Sequence, residues 1–180
     1  MVAGGLKAAI LLNTEPAFDT AAGQQALQGL NKSEMVVTLS PFKANLDVSD
    51  VLLPIAPFTE TSGTFVNAEG RVQSFHAVVK PLAETRPAWK VLRVLANLLG
   101  VQGVDYESSQ DVLATAIGAA TSEVPAQALS NATQAAAQVL GGAVTEPAVA
   151  SIYQLDSIVR RATSLQLTAD ARQAREGGAA

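Results

Sequence analysis

The sequence contains no cysteine and a single histidine among its 180 residues. Without thiols the chain cannot form a disulfide, a thiolate zinc site or a cysteine-ligated iron–sulfur cluster, and it has no cysteine nucleophile. One imidazole also excludes a metal site built from several histidines. Because no Gly-x-Ser-x-Gly elbow accompanies it, His76 is interpreted as a structural or surface residue.

Aromatic residues are scarce as well, with five Phe, two Tyr and one Trp, whereas 33 residues are alanine. An alanine side chain buries little area, and apolar burial contributes only ~25 cal/mol per Å². The chain therefore has few bulky side chains around which a core can form, although 48% of its residues are hydrophobic.

Long apolar runs and an excess of basic charge are also missing. The apolar run at 8–12 is shorter than a signal-peptide core of about 7–15 residues, and no run approaches the ~20 residues that span a bilayer. With 12 basic and 16 acidic residues, the net charge of −4 argues against a nucleic-acid-binding face. We therefore expect neither direct membrane insertion nor a nucleic-acid partner.

The amino-terminal half has the pattern of an α/β fold. Its three short apolar runs end at proline or polar turn residues and are typical of strands buried on both faces of a parallel sheet. These runs lie at 6–12, 36–39 and 51–53. Between the first two, residues 19–30 predict a helix that begins at Asp19 or Thr20, which makes a βαβ unit. The predicted architecture is a small parallel sheet with flanking helices.

Two further elements follow the third run. Residues 64–75 predict a β-hairpin around a glycine-containing turn. A helix is predicted over 87–99, because Pro87 suits a first turn and Gly100 a helix end.

The carboxyl-terminal half is rich in alanine and has no Lys or Arg between residues 94 and 159. Ser108-x-x-Asp111 is similar to a capping box at the start of a helix, and another helical piece is predicted over 126–140. The segment is either a set of closely packed small-residue helices or a loosely ordered linker. The predicted organisation is an α/β lobe over 1–100, an Ala-rich helical or linker segment over 101–150, and a basic helix and tail over 151–180.

Polar residues concentrate in the predicted hairpin, which follows the carboxyl end of a strand, where α/β sheets place their ligands. Five of them offer hydrogen-bond donors and acceptors, with one charge of each sign, and indicate a polar site or an interface: Thr64, Asn67, Glu69, Arg71 and Gln73. Gly63 and Gly70 are interpreted as turn glycines, since no Gly-Lys-Ser/Thr follows them. Glu60 with Glu69 would make an acid–base pair only if both faced one cleft.

A basic pair, Arg160–Arg161, lies near the end of the chain. Two adjacent guanidinium groups could grip a phosphate or a carboxylate, although such a pair is more typical of a solvated or interface helix face. We assign no catalytic or metal-ligating residue from the sequence.

Residues 50–73 resemble the molybdopterin oxidoreductase superfamily, whose pattern reads A-D-V-V-L-P followed by E-x-x-G-T-F-x-N-x-E-G-R-V-Q. Four further stretches are similar to the C-terminal part of the large iron–sulfur subunit of bacterial NADH–quinone oxidoreductase, respiratory complex I. They are 15–19, 54–60, 86–93 and 156–168.

The complex I resemblance implies a non-catalytic structural lobe that supports electron transfer from NADH to quinone. It implies that iron–sulfur clusters belong to an N-terminal part of such a subunit and that this segment holds no cofactor. The implied partners are the remainder of the subunit and other peripheral-arm subunits, at the cytoplasmic side of the bacterial inner membrane.

The alternative is a cofactor-binding lobe of a molybdopterin-dependent oxidoreductase such as a formate dehydrogenase, and a plain partner-binding domain is a third possibility. In the superfamily's enzymes the loop after the first strand usually reads Gly-x-Asn-Pro and approaches the cofactor's nucleotide, whereas here it reads Asn13-Thr14-Glu15-Pro16. The Cys, Ser or selenocysteine that ligates the metal in those enzymes has no counterpart. The resemblance aligns Arg160–Arg161 with a basic pair that opens their last barrel domain. These arginines and the hairpin residues are therefore candidates for an interface or a relic cofactor site.

Overall fold

The computed structural model describes residues 5–117 and 151–177. These residues fall into two compact units. Unit 1 comprises 5–53 and 151–177, and unit 2 comprises 54–117. The helix expected over 126–140 lies outside the described residues.

Unit 1 is built on a three-stranded sheet in the order β1-β2-β3. The strands are β1 (Ala8–Leu12), β2 (Met35–Ser40) and β3 (Val51–Pro54), the last of which ends where unit 2 begins. Strands β1 and β2 pair in parallel, with Ala8 opposite Met35. The chain between them is helical, so the predicted βαβ unit is confirmed.

The crossover contains two helices instead of one, α1 (Pro16–Asp19) and α2 (Gly23–Leu30). Asp19 is not the cap of a long helix. Its carboxylate accepts hydrogen bonds from the backbone N–H of Glu15 (2.7 Å) and from the hydroxyl of Thr14. These bonds close a separate turn that begins at Pro16, so α2 starts later than the sequence predicts.

The core of unit 1 lies around β2, where Val36, Thr38 and Leu39 are buried. Leu11 of β1 and Leu30 of α2 pack together with Val36. The expectation that all three runs are buried on both faces is wrong for β1 and β3, whose residues are largely half-buried or exposed. Both are outer strands of a three-stranded sheet, so each has a neighbour on one side only.

The carboxyl-terminal residues add three short helices to unit 1, α3 (Ser157–Arg161), α4 (Thr163–Gln166) and α5 (Ala169–Gly177). The side chain of Asp156 caps α3 by accepting from the N–H groups of Ile158 (2.8 Å) and Val159 (3.1 Å). Gln166 is buried, and its amide donates to the carbonyls of Tyr153 and Val159, which ties these helices together.

Unit 2 contains the predicted hairpin, as β4 (Gly63–Val66) and β5 (Val72–Phe75), which pair antiparallel. A 3₁₀ turn, Phe58–Glu60, precedes it. Gly70 has φ +80°, which a glycine adopts without strain in the hairpin turn.

Two helices complete unit 2, α6 (Ala88–Leu98) and α7 (Ser109–Ile117). The first confirms the helix predicted over 87–99. The capping box is confirmed as well, since the N–H of Asp111 donates to the Ser108 hydroxyl (3.1 Å) and the N–H of Ser108 donates back to Asp111 (2.9 Å). Within the described parts of the chain, no helix is long and apolar enough to cross a membrane.

Candidate functional site

The loop after β1 is held rigidly at the carboxyl edge of the sheet. Asn13 has φ +47°, a conformation that asparagine tolerates better than most residues. Its N–H donates to the carbonyl of Leu39 (2.8 Å), and the side-chain amide of Asn45 donates to the carbonyl of Thr14 (2.9 Å). Glu15, the next residue, is therefore fixed in position beside the sheet.

Both arginines of α3 contact this loop. Arg161 donates two hydrogen bonds to the Glu15 carboxylate, from Nη1 to Oε1 (2.7 Å) and from Nη2 to Oε2 (3.1 Å). Arg160 donates through Nη2 to Glu15 Oε1 (3.2 Å) and through Nη1 to Asp19 Oδ1 (2.9 Å). We call these four residues the arginine cluster. It joins segments more than 140 residues apart in sequence and holds α3 against the β1–α1 loop.

Aromatic rings cover the guanidinium groups. The guanidinium carbon of Arg160 lies 4.9 Å from the ring centre of Phe18, and that of Arg161 lies 4.4 Å from the ring centre of Phe42. Such stacking is favourable because the ring face carries partial negative charge.

The cluster is largely removed from water. The side chains of Arg160 and Glu15 are 6% and 12% exposed, whereas that of Arg161 is 32% exposed. Arg160 is therefore not solvated and contacts the chain's own carboxylates, whereas an interface at this arginine pair stays a prediction.

The charges of the cluster balance, with two cations and two anions. Burial raises the pKa of Glu15, but hydrogen bonds from Arg161 and Arg160 and their charges lower it by more, so the pKa lies below its ordinary value. Burial also raises the pKa of Asp19, and hydrogen bonds from the Glu15 N–H and from Arg160 outweigh it. Both carboxylates are thus ionised at neutral pH.

A cavity of about 630 Å³ lies beside the cluster. Its lining includes Glu15, Phe18, Gln154, Arg160, Arg161 and Arg175. The Nε of Arg160 is buried and has no hydrogen-bond partner. The cavity therefore adjoins two arginines whose charges Glu15 and Asp19 balance.

The hairpin brings together the five polar residues singled out in the sequence, but gives several of them local structural roles. The side-chain oxygen of Asn67 accepts from the N–H groups of Glu69 (3.0 Å) and Arg71 (2.9 Å) and closes the turn. Thr64 shares a hydrogen bond with Ser74 across the strands (3.0 Å). Glu69 and Arg71 form an exposed ion pair, and Gln73 is exposed.

The remaining candidates each have a separate role. Glu60 accepts a hydrogen bond from the N–H of Leu82 (2.9 Å), whereas Glu69 pairs with Arg71, so no shared acid–base geometry is formed between these glutamates. His76 is exposed, as expected of a surface residue. In the ranges 5–117 and 151–177 no group of three His, Cys, Asp or Glu residues is placed to hold a metal ion.

The sequence alone did not single out Glu15 and Asp19 as site residues. The signals were the resemblance of the stretch 15–19 to complex I, the departure of the loop 13–16 from Gly-x-Asn-Pro, and the position after the first predicted strand, where ligand-binding residues collect in α/β folds. Nothing in the sequence showed that Arg160 and Arg161 would meet them.

Similarity to known proteins identifies the family of this chain. Residues 1–98 match the family model described as molybdopterin oxidoreductase. "Putative formate dehydrogenase SAB2186c" of Staphylococcus aureus (strain bovine RF122 / ET3-1) is 46% identical over 52 residues, which are 29% of this chain and 5% of that protein. "Probable oxidoreductase YjgC" of Bacillus subtilis (strain 168) is 40% identical over 67 residues, 37% of this chain and 7% of that protein.

Among solved structures, acetylene hydratase from Pelobacter acetylenicus superposes with a TM-score of 0.50 at 23% sequence identity. The match covers 60% of this chain and 15% of that one, and it supports the fold alone. The matched parts of the two curated relatives amount to 5% and 7% of their lengths.

Proposed function

The chain belongs to the molybdopterin oxidoreductase family, and we propose that it forms one lobe of a larger molybdopterin-dependent oxidoreductase subunit of the formate dehydrogenase type. The observation that carries this proposal is the family match over 1–98, which covers both the sheet of unit 1 and the hairpin of unit 2. Relatives named as putative formate dehydrogenases match 52 residues of this chain.

Exposed apolar side chains in unit 2 support a role as part of a larger protein. Among residues 54–117, only Ile55 and Ala56 are buried. Val78 is 82% exposed and Leu98 is 80% exposed. Apolar surface of this kind marks contact regions, and we propose that the remainder of the subunit covers it.

The residues at the carboxyl edge of β1 do not fit an added anionic group such as the phosphate of a pterin cofactor. Such a group needs unpaired positive charge or free N–H donors. Here Glu15 and Asp19 already neutralise Arg160 and Arg161. We therefore propose a supporting role for this edge, with the cofactor chemistry carried by other parts of the subunit.

The same observation favours a second candidate, a non-catalytic lobe of the large iron–sulfur subunit of complex I. A lobe that has lost its cofactor has no need of free positive charge at this edge. In that case the partners would be the other peripheral-arm subunits, at the cytoplasmic face of the inner membrane.

Metal analysis of the full-length subunit that contains this chain separates the two candidates. A formate dehydrogenase-type subunit should purify with about one molybdenum or tungsten per chain and should reduce a dye when formate is added. A complex I subunit should contain neither metal and should recover NADH dehydrogenase activity together with neighbouring subunits. Purification with neither property would contradict both.

The packing role has its own test in the same full-length protein. Val78→Asp should reduce the yield of folded subunit, because it puts a charge on a surface that we propose is covered. His76→Asp, also at an exposed position of unit 2, is the matched control. Equal yields for the two variants would argue against burial of Val78.

A further inference from the structure

One carboxylate oxygen of the arginine cluster lies between two cations. Glu15 Oε1 accepts from Arg160 Nη2 (3.2 Å) and from Arg161 Nη1 (2.7 Å), while Oε2 accepts from Arg161 Nη2 (3.1 Å). Paired, planar donors of this kind match the geometry of carboxylate and phosphate oxygens. The Glu15 carboxylate thus occupies the position that an external oxyanion would take.

Arg160 is held in place by groups other than Glu15. Its Nη1 donates to Asp19 (2.9 Å) and to the carbonyl of Gln154, and its plane lies against Phe18. Its side chain is 94% buried by this packing, since only 6% is exposed. Removal of the Glu15 carboxylate would therefore leave the Arg160 guanidinium in the same position.

Arg161 has independent support as well. Its Nη1 donates to the carbonyl of Ser157 (3.0 Å), one turn earlier in α3, and its guanidinium stacks on Phe42. The two guanidinium groups are thus preorganised by α3 and by two aromatic rings. Preorganised donors bind an oxyanion with little loss of side-chain entropy.

A ligand has room to approach both arginines. The cavity of about 630 Å³ is lined by Glu15 and by both arginines. A ligand in this cavity would meet the Nη groups that Glu15 now occupies, since the Nε of Arg160 is buried.

We propose that Arg160 and Arg161 form an oxyanion-binding site that Glu15 keeps filled, so that an external carboxylate or phosphate binds only when the Glu15 side chain is removed or displaced. This inference rests on the geometry of unit 1 and is independent of the proposed function.

The test is rescue of Glu15→Ala by added anions, with the full 180-residue chain. Acetate supplies the carboxylate that the substitution removes, and inorganic phosphate tests a larger oxyanion. Thermal unfolding is followed at increasing anion concentration, with sodium chloride at equal ionic strength as the reference. The Tm of Glu15→Ala should rise saturably with acetate or phosphate, because a ligand that binds the folded state stabilises it.

Two comparisons make the result specific. Wild type should show no saturable rise, or should need at least about tenfold more anion for the same shift. The double variant E15A/R161A should lose the response, because one of the two guanidinium groups is gone. No response in Glu15→Ala, or an equal response in wild type, would overturn the proposal.

A second variant covers the case in which Glu15→Ala does not fold. Glu15→Gln keeps the shape of the side chain but removes its charge, so the arginines hold it less tightly and only Asp19 still offsets their charge. Phosphate should stabilise Glu15→Gln more than it stabilises wild type, and equal stabilisation would contradict a site that the Glu15 charge keeps closed.

Discussion

Replacing Arg160 with alanine is expected to destabilise unit 1 by about 3–5 kcal/mol. The substitution removes the cation that links Glu15 (3.2 Å) to Asp19 (2.9 Å). Asp19 then loses its arginine partner, and the carbonyl of Gln154 loses a donor. Because Glu15 keeps Arg161, the cost comes from Asp19, from the Gln154 carbonyl and from the packing of the buried Arg160 side chain on Phe18.

The magnitude follows from burial and from comparison with the neighbouring arginine. Arg160 is 6% exposed and bonds to two carboxylates, whereas Arg161 is 32% exposed and bonds to one. Solvent screens the more exposed pair, and Glu15 would retain Arg160. Arg161→Ala should therefore lower the free energy of unfolding by only about 1–2 kcal/mol. Arg172→Ala, on the exposed face of α5, should change stability by less than about 0.5 kcal/mol.

Urea unfolding followed by circular dichroism measures these differences. The one tryptophan, Trp89, lies in unit 2, so its fluorescence would not report on the cluster. Hydrogen exchange of unit 1 amides, such as the Asn13 N–H that donates to Leu39, gives a local measure. A loss of about 3–5 kcal/mol corresponds to roughly two to four orders of magnitude in protection. If Arg160→Ala cost no more than Arg161→Ala, the assignment of Arg160 as the buried centre of the cluster would be wrong.

Three further predictions concern single residues. Because the folded-state pKa of Glu15 is lowered, its ionised form adds stability that is present above its unfolded pKa and is lost as the pH falls through the lower folded value. Acid unfolding of wild type should therefore be steeper below about pH 4.5 than that of Glu15→Gln, as circular dichroism can show. Gly70→Ala should weaken the hairpin by about 1–2 kcal/mol, because φ is +80° at this turn, and faster hydrogen exchange of β4 and β5 would show it. Ser108→Ala should raise the pKa of Asp111 toward its ordinary value, since a hydrogen bond with Ser108 is the largest cause of its lowering; an unchanged NMR titration would refute this.

Local signals predicted the fold well where one short segment determines the structure. The hairpin, the helix after Pro87 and the capping box at Ser108 each depend on residues within a few positions of one another. The split of the crossover into α1 and α2 was not predicted, because it depends on which group the Asp19 carboxylate contacts. Burial of the strands was predicted poorly, since a run of apolar residues does not reveal whether its strand lies at the edge of the sheet.

Local sequence signals predicted even less of the candidate site than of the fold. For Arg160 and Arg161 the sequence favoured a solvated or interface face over a bound phosphate or carboxylate, and the structure shows them bonded to the Glu15 carboxylate. The partner, Glu15, lies about 145 residues away, and no periodicity or spacing rule connects positions so distant. The hairpin residues were found easily because they are adjacent in sequence, yet Asn67 and Thr64 use their polar groups to stabilise the hairpin itself.

We expect the superfamily pattern and the proposed oxyanion site to depend on different residues. The stretch with the superfamily pattern, 50–73, forms β3 and most of the hairpin, whereas the charges of the proposed oxyanion site come from the β1–α1 loop and α3. A single side chain, the carboxylate of Glu15, fills the space between the two guanidinium groups without disturbing the sheet. Since a fold is maintained by many contacts and an anion site by a few, a lobe can keep the first while losing the second. The charge at position 15 is accordingly a better guide than the hairpin motif to whether this lobe binds an external oxyanion.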